Sequence, residues 1–225
     1  MKESIKWIVT TSNKYHHLLK IFIYLFNKNV SENIKVEVVG YDKPGFDLPS
    51  NFTFHSLGKQ TDTSKDFSND LRPYFEKQGE WFIWFFEDSW VKEVDWEKLD
   101  ALVNLTEIEK VGRVNLTYAA RLQDFIEYGD VDNHRILENT QTARYRICTQ
   151  PSIWNKQFLL QYLKPNMSPW DFESQDPQND GWRILGPAGS AVLHNEGVTR
   201  HNIYRYNLSG IDSEQLREMR ELKLI

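Results

Sequence analysis

The sequence predicts an α/β fold: a mostly parallel, Rossmann-like central sheet flanked by helices, joined to an irregular, mixed second half. Three observations predict it. Trp81-Phe82-Ile83-Trp84-Phe85-Phe86 is an unbroken apolar run, the pattern of a strand buried on both faces, whereas a half-solvated strand alternates. The first 42 residues read strand, helix, strand at the spacing of a βαβ unit with parallel strands. Beyond residue 117 the regular pattern gives way to short mixed segments.

Taken in order, Trp7 to Thr10 is a short β-rich run, and Thr10-Thr11-Ser12-Asn13 can cap the helix His16–Phe26 that follows, with Leu18, Leu19, Phe22 and Leu25 at helical spacing. Ile34–Asp42 is the second strand and Phe52–His55 a short third. The polar stretch Gly58–Lys65 reads as a loop. Asp66 or Ser68 caps a helix running through Leu71 and Tyr74 to Gln78. The strand Trp81–Phe86 delivers Glu87-Asp88 to the carboxyl end of the sheet, the edge where open α/β sheets bind ligands. Asp95 opens a helix to about Glu109, and Val111–Thr117 is a further strand. Tyr118–Asn139 has no clear period and reads as an insertion. Ala143–Thr149 resembles a strand and Ile153–Leu163 a helix. Ser168 caps and Pro169 begins a helical turn through Trp170-Asp171-Phe172-Glu173. Gly181–Leu185 and Ala191–His194 are late strands, and Ser213–Lys223 an amphipathic helix. The whole reads as one domain over 1–225, with a nucleotide-binding half to about 117, an acceptor-side half over about 118–212 and a C-terminal helix over 213–225.

Composition narrows the function. At 225 residues the chain is long enough for one substantial core. Eight tryptophans are an excess, and aromatic faces serve apolar cores, sugar-ring stacking and base stacking alike. A formal charge of −5 with mixed signs argues against a nucleic-acid partner. The single cysteine, Cys148, excludes an intramolecular disulfide and a cysteine-rich zinc site. No signal-peptide pattern opens the sequence, and Leu18–Phe26 is too short to span a membrane. The expectation is a soluble, cytoplasmic protein without a membrane span.

Three polar groups fall at predicted carboxyl ends of strands: Thr10-Thr11-Ser12, Tyr41-Asp42 and Glu87-Asp88. In a doubly wound sheet these loops converge. Hydroxyls and carboxylates hold a base and ribose, and a carboxylate can hold Mg²⁺ or Mn²⁺ against a diphosphate. Against this stands the plainer reading that each group caps the next helix. No Gly-x-Gly-x-x-Gly follows the first strand, and no P-loop or Gly-x-Ser-x-Gly elbow occurs.

Ile8-Val9-Thr10-Thr11-Ser12, Phe86-Glu87-Asp88, Thr149-Gln150-Pro151-Ser152-Ile153-Trp154-Asn155-Lys156 and Ser168-Pro169-Trp170-Asp171-Phe172-Glu173 together resemble GT-A-fold glycosyltransferases, and among them a set of small viral, phage and bacterial enzymes. The resemblance implies transfer of a sugar from a nucleotide-diphosphate donor to a saccharide or glycan acceptor, with Mn²⁺ or Mg²⁺ and an inverting outcome. It places Glu87-Asp88 at the family's Asp-x-Asp position, with Ser89 where the second acid would fall, which puts strict metal dependence in question. Asp88 is then the metal ligand and Glu87 a second ligand or ribose contact. Thr10, Thr11, Ser12 and Asp42 match the nucleoside-binding loops, and Asp66 or Asn69 would approach the base or ribose. Glu173, with Asp171, matches the general base, and His201 or His194 would complete the metal shell.

The physical case for Glu173 is that an acceptor hydroxyl is a poor nucleophile until a nearby carboxylate takes its proton. Two rival readings accompany this one. A sugar-phosphate nucleotidyltransferase would carry a glycine-rich, lysine-bearing loop after the first strand, and Thr11-Ser12-Asn13-Lys14 is not one. A non-catalytic carbohydrate-binding or assembly protein on a transferase fold would bind without turnover. Donor sugar, nucleotide, acceptor, anomeric outcome and oligomeric state are not readable from the sequence.

Overall fold

A computed structural model describes residues 5–61, 64–118, 124–176, 178–199 and 202–225. The elements, in chain order, are β1 (Lys6–Thr10), α1 (His16–Asn29), β2 (Val36–Gly40), β3 (Phe52–Ser56), α2 (Asp66–Glu76), β4 (Trp81–Phe86), β5 (Ser89–Val94), α3 (Trp96–Asn104), β6 (Val111–Asn115), β7 (Phe125–Val131), β8 (His134–Asn139), β9 (Ser152–Asn155), α4 (Lys156–Tyr162), α5 (Pro169–Glu173), β10 (Arg183–Pro187), β11 (Val192–Glu196), β12 (Val198–Thr199), β13 (Asn202–Tyr206) and α6 (Ser213–Glu221). Nine strands form the central sheet in the order β3-β2-β1-β4-β9-β6-β10-β8-β7. β3, β2, β1 and β4 are mutually parallel, and β9 and β8 run against their neighbours. This is the α/β class that the sequence predicts, a mostly parallel half flanked by helices and joined to a mixed half.

The apolar run of β4 explains why the sheet is centred on it. Ile83 and Phe85 join one core with β1, α1 and α3, while Phe82 and Trp84 join the other with α2 and α4. All four side chains are at most 1% exposed, and each contributes roughly 1.5–3 kcal/mol of burial. Stacked rings lock the strand in place on both sides, Trp7 on Phe85 at 5.6 Å and Phe75 on Phe82 at 5.0 Å. The helices that follow the strands cover both faces, α1, α3 and α6 on one and α2, α4 and α5 on the other.

The second half departs from several expectations. Ile153–Leu163 is not one helix: Ser152–Asn155 is β9, inserted antiparallel between β4 and β6, and Asn155 caps α4 by accepting from the Gln157 and Phe158 N–H groups at 2.9 and 3.3 Å. Ile153 and Trp154 face opposite cores, the alternation of a strand, which so short an apolar run does not distinguish from a helix. Ala143–Thr149 forms turns rather than a strand. Within Tyr118–Asn139, β7 and β8 make a hairpin whose turn residues Asp132 and Asn133 have φ of 48° and 64°. Both central residues in the left-handed region is the type I′ geometry suited to twisted hairpins. The chain also continues straight from the Glu87-Asp88 turn into β5, which pairs with β11. No helix among the described residues is long and apolar enough to cross a membrane.

Candidate active site

The sheet order reverses at β1, with β2 on one side and β4 on the other. A crevice is expected outside the carboxyl ends of parallel strands at such a switch point, because the connecting helices leave in opposite directions. A cavity of about 590 Å³ lies there, lined from the ends of all four parallel strands: Thr10–Tyr15 after β1, Tyr41 after β2, Leu57 after β3, and Phe86-Glu87 at the end of β4. Gln60, Thr61, Ser64, Phe67 and Leu71 add a wall from the segment leading into and along α2, and Pro169 and Trp170 close the far side. The size and the mixture of aromatic walls with a few polar groups are those of a small-ligand site.

The Thr10-Thr11-Ser12 loop does not cap the helix after it. Ser12 precedes a short 3-10 turn (Asn13–Tyr15) but makes no side-chain capping bond, and its Oγ is buried without a hydrogen-bond partner. Thr10 is committed to the core, its hydroxyl accepting from the Trp84 indole N–H at 3.0 Å. Thr11 donates to the Ser12 carbonyl at 3.4 Å. Of the three expected hydroxyls, Ser12 is therefore the one left for a ligand. Lys14 brings a cation to the same wall, 4.6 Å over the Tyr15 ring.

Glu87 and Asp88 form the turn between β4 and β5. Glu87 is 4% exposed, lines the cavity, and its Oε2 has no partner. Burial, and then the neighbouring Asp88 charge, hold its carboxyl well above the ordinary range, with Lys14 opposing. Asp88 is pushed up to about 6, first by burial and then by Glu196, with a smaller contribution from Glu173. Glu196 belongs to β11 and stands opposite Ser89 in the strand register. Tertiary pairing thus brings a carboxylate beside the very position where the sequence lacks its second acid.

Glu173 ends α5 and accepts from the Thr149 N–H at 2.6 Å and from the Thr149 hydroxyl. Asp171 is placed otherwise: its carboxylate closes a capping box with Ser168 at the start of α5, and bonds to the Ser168 N–H and hydroxyl hold it below the usual carboxylate value. That makes it a helix-stabilising group rather than a partner to Glu173. Asp42 is exposed and exchanges two hydrogen bonds with Asn13, at 2.6 and 3.0 Å. Asp66 accepts from Thr61, and the Asn69 amide is used up on Asn166. Thr10, Thr11, Ser12 and Glu87 are thus gathered on the cavity wall, whereas Asp42, Asp66 and Asn69 stand outside it. Reading the sequence did not assign Lys14, Tyr15, Gln60 or Phe67 to the site. Gln60 and Phe67 carry no local pattern that would have marked them.

Of the expected metal shell, Asp88 and His194 lie among the described residues. His201 lies outside the described residues. His194, on β11, is held neutral, its imidazole pushed down to about 4 by burial and by Lys92. Among the described residues no three His, Cys, Asp or Glu side chains are grouped to hold a metal ion.

No family model matches the sequence, and no curated protein matches it. Solved structures similar to the chain include HddC from Yersinia pseudotuberculosis, with 11% identity, 85% of this chain and 92% of that chain covered, and a TM-score of 0.49. Galactosyltransferase LgtC in complex with donor and acceptor sugar analogs is 9% identical over 75% of this chain and 69% of its own, at a TM-score of 0.39. The bifunctional glycosyltransferase WbbM, in its apo form, is 7% identical over 72% of this chain and 33% of its own, at 0.33. With TM-scores below 0.5 these likenesses carry no argument about activity, which rests on the site.

Proposed function

We propose that this chain is a glycosyltransferase that moves a sugar from a nucleotide-diphosphate donor to a saccharide hydroxyl, with inversion. The observation that carries the reading is the cavity of about 590 Å³ at the switch point of the parallel strands, where Ser12 Oγ and Glu87 Oε2 are buried without protein partners. Buried polar atoms cost about 1–3 kcal/mol each when unpaired, and ribose hydroxyls are donors and acceptors that would satisfy both. Glu87, its carboxyl raised by burial, suits a hydrogen bond to a ribose hydroxyl. Tyr41, Phe67 and Phe86 offer ring faces to a base, and Lys14 a cation to the diphosphate.

In the reaction the acceptor oxygen bonds to the anomeric carbon as the bond from that carbon to the diphosphate oxygen breaks. The nucleoside diphosphate leaves with the electron pair, and Glu173 takes the acceptor proton. Thr149 orients that carboxylate through the oxygen it bonds, leaving the other for the acceptor hydroxyl. Assistance by Mn²⁺ or Mg²⁺ is part of the family resemblance, but the described residues do not complete its shell, and no step here depends on it.

A thermal-shift panel of nucleoside diphosphates and nucleotide sugars, with and without Mn²⁺, tests the reading. A ligand that binds only the folded state at one hundred times its Kd stabilises by roughly 2.7 kcal/mol. One nucleotide is expected to raise the melting temperature, with the rise weakened in Ser12→Ala and Glu87→Gln. No shift with any nucleotide would sink the transferase reading.

A further inference from the structure

Trp170 and Phe172 are two residues apart on α5 and have opposite fates. Phe172 is fully buried, its ring 6.2 Å from Trp84, 6.1 Å from Trp154 and 6.2 Å from Phe67. Trp170 is 76% exposed, the most exposed of the large hydrophobic side chains described. Single exposed apolar residues are common, but the backbone that carries this one is held in place. Ser168 and Asp171 close the capping box on one side of it, Phe172 anchors the helix beneath, and Glu173 ties the end to Thr149. Its indole stands at the wall of the cavity, and Glu173, three residues on, lies on the same side of the helix turn.

Resting on the transferase reading above, we propose that Trp170 is the acceptor platform: its indole face takes the apolar face of a pyranose ring, setting one hydroxyl of that sugar beside Glu173. One face of a pyranose presents mainly C–H bonds, whose slight positive charge meets the negative face of the indole ring. Such a contact positions a sugar without demanding a particular hydroxyl pattern, so the platform favours pyranoses with an unbroken C–H face. The backbone that carries the ring is already fixed by these three contacts, so it loses little freedom on binding.

The test is saturation-transfer NMR with the methyl glycosides of glucose, galactose, mannose and N-acetylglucosamine, on wild type, W170A, W170F and W96A. Trp96, 38% exposed at the start of α3, controls for loss of any surface indole. At least one glycoside should bind the wild type and W96A alike. Binding should fall roughly tenfold or more in W170A, as expected for loss of an aromatic contact worth about 1.4 kcal/mol, and be partly kept in W170F. Failure of the wild type to bind any glycoside, or equal binding by W170A, overturns the proposal. The nucleotide thermal shift is read on the same samples. Its loss in W170A with glycoside binding intact would make the indole a base platform and overturn the proposal while leaving the transferase reading. Its absence from the wild type, with glycoside binding that depends on Trp170, would remove the transferase reading and keep the platform.

Discussion

Replacing Asp88 by Asn should stabilise the fold above pH 6 and leave it unchanged in acid. Asp88 lies in the turn that follows the buried strand β4, and burial together with the Glu196 and Glu173 charges raises its carboxyl from 3.8 to about 6. The folded protein therefore keeps a proton that the unfolded chain releases near pH 3.8. Between those values the folded state binds more protons, so stability falls as pH rises. Above pH 6 the loss is complete, and at about 1.36 kcal/mol for each pH unit it comes to roughly 3 kcal/mol. An amide is neutral throughout and escapes this cost, while also relieving the charge that raises Glu87. A backbone hydrogen bond to the Asp88 carboxylate acts in the opposite sense, and the rise to about 6 is net of it. Urea unfolding at intervals from pH 4 to pH 8 measures the difference directly. The variant should be the more stable protein at pH 8, with the gap closing between pH 6 and pH 4. A gap that does not change with pH would refute the reasoning.

Other outcomes follow from the same contacts. Glu173→Gln should lower turnover by roughly 10²–10⁴-fold while leaving nucleotide-induced stabilisation intact; turnover within tenfold of wild type would put the base elsewhere. Thr10→Val strips the Trp84 indole of its buried acceptor, which should cost about 1–3 kcal/mol in chemical denaturation, and an unchanged midpoint would show that the bond contributes nothing. Asp180→Ala leaves the Arg146 guanidinium, 2% exposed and paired at 3.2 Å, without its counter-charge. The expected cost is about 3–5 kcal/mol, a fall of roughly 10 °C in Tm for a domain of this size; a shift of a degree or two would mean that Tyr162 and the Trp182 carbonyl suffice to hold the arginine.

What could be read from the sequence was whatever depends on near neighbours in the chain. Trp81–Phe86 announces a doubly buried strand because a half-solvated one would alternate, and Ser168-Pro169 announces a helix start because a capping hydroxyl and a first-turn proline act on adjacent residues. From these, and from the strand-helix-strand opening, the α/β class and the edge carrying Glu87-Asp88 were legible. The Asp132-Asn133 hairpin turn was equally local and was missed because the segment around it lacks a clean alternation.

Tertiary structure decided what depends on strands distant in sequence. β9 enters the sheet between β4 and β6, so its four residues are a strand by partnership rather than by propensity. The register of β11 on β5 sets Glu196 opposite Ser89, 107 positions away in the chain. Burial separated Phe172 from Trp170 and left Ser12, rather than Thr10, with an unused hydroxyl. Composition and spacing determine which groups a chain owns, but whether a given hydroxyl is spent on its own core or left for a ligand is settled only when the strands come together.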